Sequence, residues 1–317
     1  MNILVTGVAG FIGNAVSIAL LQRGDKVVGL DNMNNYYSVE LKEARLKRLD
    51  SEIYRIDICD KQKLMEVFRD NKIDAVVHLA AQAGVRYSLE NPQAYIDSNI
   101  TGTLNIFECC KDFGVKNIVF ASSSSVYGDN AKIPFSTEDR TDNPVSLYAA
   151  TKKSCELMAH TYSHLFGLNI TGLRYFTVYG PWGRPDMAPM LFAKNILEGK
   201  PIKVFNNGNM KRDFTYIEDI VNGTISCLNH DTQDLRINRI FNIGRGEPVD
   251  LMRFIEILEN GLGKKAIKEF LPMQAGDVPV TWADTSALEK ATGYRPKISL
   301  ETGIKHFAEW YLEFSHN

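Results

Sequence analysis

The sequence predicts an α/β fold, a doubly wound parallel sheet with a smaller mixed α/β region after it. Three observations carry that prediction. Short β-branched runs alternate with helical periodicity over the first half of the 317 residues. A glycine-rich turn joins the first run to the first helical stretch, and the alternation loosens past about residue 175. Apolar runs with no polar face belong to strands covered by helices on both sides.

In order, the strand-like runs are residues 2–6, 26–30, 52–56, 75–79, 117–121 and 169–174. The helical stretches between them include 12–23, 61–70, 101–113 and 147–166. Right-handed crossovers set the loops after the strands along one rim, where such sheets bind ligands. Further on, Tyr179-Gly180-Pro181-Trp182-Gly183-Arg184-Pro185 reads as a rigid loop, and Asn206-Asn207-Gly208-Asn209 as a turn. Helical patterns return at 217–228, 251–262 and 300–314, and residues 239–243 suit a strand returning to the main sheet. The expected division is 1–175 for the first domain, with that returning strand, and 176–317 for the second.

Lys plus Arg number 36 against 38 Asp plus Glu, a net charge of −2, which implies no bulk attraction to nucleic acid or an anionic membrane. No apolar run approaches the length of a membrane span. Five cysteines, an odd number without zinc-site spacing, read as reduced thiols. The chain enters its first strand at Asn2 with no charged leader segment, so the expected location is the cytoplasm. His160 and His164 share a helix face but have no third ligand, so no metal is expected.

Gly7-Val8-Ala9-Gly10-Phe11-Ile12-Gly13 lies between the first strand and the first helix. Its glycines permit a tight turn and close backbone approach to a diphosphate, and the helix start at Phe11 and Ile12 offers N–H groups and a positive dipole end. Asp31, followed by Asn32, ends the second strand. Its carboxylate suits a ribose diol and repels a 2′-phosphate, which favours NAD over NADP. Asp57-Ile58 after the third strand would flank the adenine, or else cap a helix. Leu79-Ala80-Ala81 after the fourth offers small residues along the cofactor.

Tyr148-Ala149-Ala150-Thr151-Lys152 places a phenol and an ammonium four apart on one helix face. A free phenol loses its proton only near pH ~10, and a nearby ammonium favours the phenolate that could act as a base. Such pairs also occur by chance on exposed helices. Here the run Ser122-Ser123-Ser124-Ser125 adds hydroxyls able to hold a substrate oxygen.

Together these motifs resemble the extended short-chain dehydrogenase/reductase family, the nucleotide-sugar epimerases and dehydratases built on a Rossmann sheet. The resemblance also rests on His78-Leu79-Ala80-Ala81, on Val126-Tyr127-Gly128, and on Arg212-Asp213-Phe214-Thr215-Tyr216, and it spans essentially the whole chain. It implies bound NAD in the first domain, a UDP- or dTDP-sugar in the second, hydride removal at sugar C4, and helix-paired homodimers. It assigns Tyr148, Lys152 and Ser123 as catalytic, and Asn99 as a supporting residue at the cofactor, with helix capping as the alternative for Asn99.

Within the family the chain is most similar to the branch acting on UDP-glucuronate, through residues 81–88, 144–153 and 177–187. Ser124 and Ser125 stand where 4,6-dehydratases usually carry an Asp-Glu pair, and decarboxylases usually place a Glu nearby. Hydroxyls of Ser124, Ser125 and Thr177 with the Arg184 guanidinium would cradle a carboxylate. Arg86 and Arg212 are candidates for the diphosphate, and Val204, Phe205 and Asn206 for the uracil. Asp277 resembles a segment near the nucleotide. Pro189-Met190-Leu191-Phe192 departs from the expected pattern at the pocket entrance. The alternatives are epimerisation of UDP-glucose, decarboxylation of UDP-glucuronate, or a non-enzymatic NAD-sensing scaffold.

Overall fold

The computed structural model describes residues 1–229, 239–274 and 278–315. Asp277 lies outside them. The first half runs β1 (Asn2–Thr6), α1 (Phe11–Gln22), β2 (Lys26–Leu30), α2 (Val39–Leu46), β3 (Glu52–Tyr54), α3 (Lys61–Asp70) and β4 (Ala75–His78). Short helices α4 (Tyr87–Glu90) and α5 (Pro92–Tyr95) lead through a π-helical turn, Ile96–Thr101, into α6 (Gly102–Asp112). Then come β5 (Asn117–Ser123), α7 (Leu147–Phe166) and β6 (Asn169–Tyr175).

The second half adds β7 (Thr177–Tyr179), α8 (Ala188–Glu198), β8 (Pro201–Val204), β9 (Lys211–Arg212), β10 (Phe214–Tyr216) and α9 (Ile217–Asn229). After these come β11 (Arg239–Ile243), β12 (Val249–Asp250), α10 (Leu251–Leu262), β13 (Ile267–Phe270), α11 (Ser286–Thr292) and α12 (Leu300–Ser315). The central sheet has seven strands in the order β11-β6-β5-β4-β1-β2-β3, and every pairing in it is parallel. The returning strand at 239–243 joins its edge as expected. The order reverses between β1 and β4, which opens a crevice at the carboxyl ends of the strands.

Alternate strand residues face opposite helix layers. Ile3, Val5, Val77 and Val119 pack with Val16 and Leu20 of α1 and Ile220 of α9. Leu4, Val28, Val76 and Ile118 pack with Leu64 of α3, Phe107 of α6 and Ala159 of α7. This two-sided burial explains why the strands read as unbroken apolar runs.

Among the helices that the sequence pattern does not predict, α2 and α8 border the site. α2 was not foreseen: Ser38 caps it by accepting from Leu41 N–H, but Lys42 and Arg45 are among its buried residues. α8 carries Pro189 in its first turn, where the missing N–H has no intrahelical partner to lose. The expected turn at 206–209 is present: Asn209 N–H donates to Asn206 O at 2.9 Å, and Asn206, Asn207 and Gly208 all have positive φ. Among the described residues no helix is long and apolar enough to cross a membrane.

Candidate active site

The crevice opens into a cavity of about 970 Å³ lined from the carboxyl ends of β1, β2, β4, β5 and β6. At β1, Gly7 has φ +74, and a Cβ there would come 2.7 Å from Ala80 N. A Cβ on Gly13 would meet Gly7 O at 2.1 Å, so the start of α1 seats directly on the turn. No side chain caps α1 and its first turn holds no acid, which leaves the N–H groups of Phe11 and Ile12 for an anion. Asp31 accepts from Ala9 N–H (3.1 Å) and Met33 N–H (2.9 Å), so its carboxylate is fixed where a ribose would lie. Asn32 donates to Asp57 Oδ2 at 2.7 Å. Burial raises the Asp57 pKa, but the Cys59 N–H and Asn32 outweigh it and hold the acid below its ordinary value. Ile58, Leu79, Ala80 and Ala81 complete this wall. These residues fit a dinucleotide diphosphate, ribose and adenine.

Tyr148, Lys152, Ser123, Ser124 and Thr177 line the same cavity further in. Ser146 caps α7 by accepting from Ala149 N–H at 3.1 Å, which fixes the turn carrying Tyr148. The Tyr148 ring meets Tyr95 edge-on with centroids 6.0 Å apart. Lys152 is buried and donates to Ala121 O at 2.8 Å. Ser123 Oγ accepts from Ser125 N–H (3.2 Å) and from the Ser125 hydroxyl (2.9 Å), so its own hydrogen is available for a ligand oxygen. The Ser125 hydroxyl, expected in the carboxylate cradle, is thus directed at Ser123.

Beneath this wall is a buried network that sequence reading missed. Ser122 donates to Glu156 Oε1 (2.6 Å), and Arg174 grips both Glu156 oxygens at 2.8 Å. The Arg174 guanidinium lies 4.8 Å over the Tyr127 ring, whose hydroxyl donates to Asn242 Oδ1 at 2.6 Å. The network ties β5, α7, β6 and β11 together directly under Ser123.

His78 is a buried, hydrogen-bonded core residue. Thr6 Oγ1 accepts from Ala80 N–H (3.1 Å) and pairs with His78 Nδ1 (2.7 Å), while His78 Nε2 pairs with Thr103 Oγ1 (3.0 Å), so each ring nitrogen has a hydroxyl partner. Burial and the Lys152 charge push the His78 pKa from 6.5 down to about 3. The unfolded imidazole binds a proton near 6.5 and the folded one only near 3, so acidification through that window favours unfolding. Urea unfolding should show wild type losing up to about 1.4 kcal/mol more per pH unit than His78→Gln between those values. Parallel pH dependences would contradict the neutral-imidazole assignment.

Arg184 lines the cavity and forms a bidentate pair with Asp186, Nε to Oδ1 at 3.1 Å and Nη2 to Oδ2 at 2.5 Å. Its loop is held by the fully buried Arg45, which donates to the carbonyls of Trp182 (2.7 Å), Gly183 (3.0 Å) and Ala9 (3.0 Å). Trp182 has φ +64, a conformation rare outside glycine, and Arg45 stabilises it from the carbonyl side. Arg45 thereby links the dinucleotide turn to the Arg184 loop. Arg45, and Tyr36, Tyr37 and Lys42 in the cavity wall, had no signal in the sequence.

Arg86, Phe205 and Arg212 line the outer end, with the Arg86 guanidinium 5.4 Å over the Phe205 ring. Leu191 and Phe192, from the segment that departs from the expected pattern, also line the cavity. Three expected contacts lie elsewhere. Asn99 is fully buried behind the wall, accepting from Gln82 N–H (2.8 Å) and donating to Gln82 O and Thr151 Oγ1 (3.0 Å each). The π-helical turn aims it at backbone, so it shapes the loop after β4. Val204 packs into the core, and Asn206 turns back to Asn209 O at 2.8 Å.

The sheet order, glycine turn and tyrosine–lysine–serine set define a nicotinamide-dinucleotide enzyme class. Comparison with known proteins narrows it. Residues 3–244 match the NAD dependent epimerase/dehydratase family, and the chain belongs to that family. It is 56% identical, over 98% of its length and 96% of the relative's, to an uncharacterized protein of Methanocaldococcus jannaschii. It is 50% identical to UDP-glucuronate 4-epimerase 1 of Arabidopsis thaliana, covering 99% of this chain and 77% of that one. Among solved structures, UDP-glucuronic acid 4-epimerase from Bacillus cereus with UDP-glucuronic acid and NAD is 38% identical. Its TM-score is 0.92, covering 99% of this chain and 100% of that one.

Proposed function

We propose that this chain is an NAD-dependent 4-epimerase that interconverts UDP-glucuronate and UDP-galacturonate. The observation that carries the reading is one cavity holding Tyr148, Lys152 and Ser123 together with Arg184, Thr177 and Ser124. When bound, NAD supplies the reversible acceptor for the hydrogen of sugar C4. The glycine turn and the start of α1 would hold its diphosphate, and Asp31 its ribose.

Tyr148 takes the C4 hydroxyl proton while Ser123 donates a hydrogen bond to the same oxygen. The resulting 4-keto acid turns while Arg86 and Arg212 retain its diphosphate. Tyr148 then returns a proton to O4 on the inverted centre, and there is no net redox change. The keto acid is prone to lose carbon dioxide when its carboxylate bond aligns with the carbonyl π system. Arg184, Thr177 and Ser124 hold the carboxylate out of that alignment.

We assign residues 1–175 to the dinucleotide and 176–317 to the sugar nucleotide, with crossing contributions from Arg86 and the serine run. We place the enzyme in the cytoplasm as a homodimer. The exposed Leu157 and Leu165 of α7 and Leu104 of α6 supply an apolar face for pairing.

Proton NMR of products from UDP-glucuronate and from UDP-glucose tests the reading. UDP-galacturonate as the main product of the first is expected. UDP-pentose alone, epimerisation confined to UDP-glucose, or no turnover would overturn it. Arg184→Ala should lower kcat/KM on UDP-glucuronate by about 10- to 100-fold, the worth of a charged hydrogen bond. Undiminished turnover would remove Arg184 from the carboxylate site.

A further inference from the structure

Arg184, assigned above to the substrate carboxylate, already holds a carboxylate of its own chain. Asp186 occupies its Nε–Nη2 edge, and Tyr36 donates to Asp186 Oδ2 at 3.1 Å. All three side chains line the cavity. The contact is built rather than incidental to a surface loop. Gly84, at φ +100, leaves the room Tyr36 needs, since a Cβ there would come 2.8 Å from the Tyr36 hydroxyl. Tyr36 packs on Tyr87 (centroids 4.8 Å), Tyr87 on Tyr95 (6.3 Å) and Tyr95 on Tyr148, so the pair is continuous with the base.

Burial raises the Asp186 pKa, but Arg184 outweighs it and keeps the acid below its ordinary value, an anion at neutral pH. Burial and Asp186 push Tyr36 up to about 12, so it stays a hydrogen-bond donor.

A guanidinium edge accepts one carboxylate in bidentate fashion at a time. Turning the 4-keto acid moves its carboxylate away from Arg184, and leaving that cation unpaired inside the cavity would be costly. We propose that Asp186 is an exchange partner for Arg184, taking the guanidinium when the sugar acid releases it and so permitting the turn. Asp186 is then a positioning residue, and this assignment rests on the uronate reading above.

The test uses NAD-loaded Asp186→Asn with UDP-glucuronate. An amide competes poorly for Arg184, so the substrate carboxylate should bind more tightly and release more slowly. KM should fall about 3- to 10-fold and kcat about 10-fold or more, a split that loss of loop support would not give. The stalled keto acid should also leak. Its C5–carboxylate bond breaks, the electron pair enters the enolate, a proton completes the 4-keto pentose, and carbon dioxide leaves. The decarboxylated fraction should therefore rise, while the Kd for UDP-glucose, which lacks the carboxylate, stays within about twofold. Asp186→Glu, which keeps the charge, should restore kcat to within about threefold of wild type. A raised KM, an unchanged kcat, or a Glu variant as impaired as Asn would overturn the exchange. Wild type inactive on UDP-glucuronate would instead defeat the parent reading.

Discussion

Tyr148→Phe should give a folded protein that binds NAD and turns over sugar at least about 10²-fold more slowly than wild type. The substitution keeps the ring that meets Tyr95 edge-on and the helix turn capped by Ser146, and removes one oxygen. That oxygen is the one group in the cavity assigned to carry the C4 hydroxyl proton. Lys152 is engaged with Ala121 O, and Ser123 is arranged as a donor. Loss of a positioned base costs about 10²- to 10⁴-fold in rate. Stopped-flow and steady-state rates with UDP-glucuronate, beside NAD binding by fluorescence, separate chemistry from cofactor loss. Activity within about tenfold of wild type would mean that another group removes the proton.

Glu156→Ala has the largest expected effect on stability. Arg174 and Glu156 side chains are 4% and 3% exposed, so solvent cannot replace the lost partner. Burial lowers the Arg174 pKa, but Glu156 outweighs it and holds the guanidinium charged. Removing the carboxylate strands that cation and leaves the Ser122 hydroxyl without its acceptor, at a cost of about 3–5 kcal/mol. Urea unfolding checks the figure. A loss under about 1 kcal/mol would show that the network relaxes or hydrates and is not a rigid floor under the serine run. Because Ser122 adjoins Ser123, residual folded protein should also lose kcat more than KM.

The sequence was most legible where one local pattern encoded one structural demand. Gly7 and Gly13 could be read because no larger residue fits their contacts, and the strands because both faces are buried. Tyr148 and Lys152 share a helix, so their spacing alone set their common face. Side chains whose partners lie far along the chain were illegible. Tyr36 and Asp186 are 150 residues apart, and Arg45 and Trp182 are 137 apart. α2 was hidden for a related reason, since it buries Lys42 and Arg45, which the usual amphipathic reading assigns to solvent. Asn99 and Ser125 had the right chemistry but the wrong aim. A π-helical turn directs the first at Gln82, and the 3₁₀ turn after β5 directs the second at Ser123.

In the proposed epimerisation one hydrogen leaves sugar C4 and returns to its opposite face within the same cavity. Turnover of UDP-glucuronate in D₂O, followed by proton NMR of the products, tests it directly. UDP-galacturonate that retains protium at C4 is expected, because only the hydroxyl proton passes through Tyr148. Deuterium at C4, or consumption of UDP-glucuronate without any UDP-galacturonate, would contradict it.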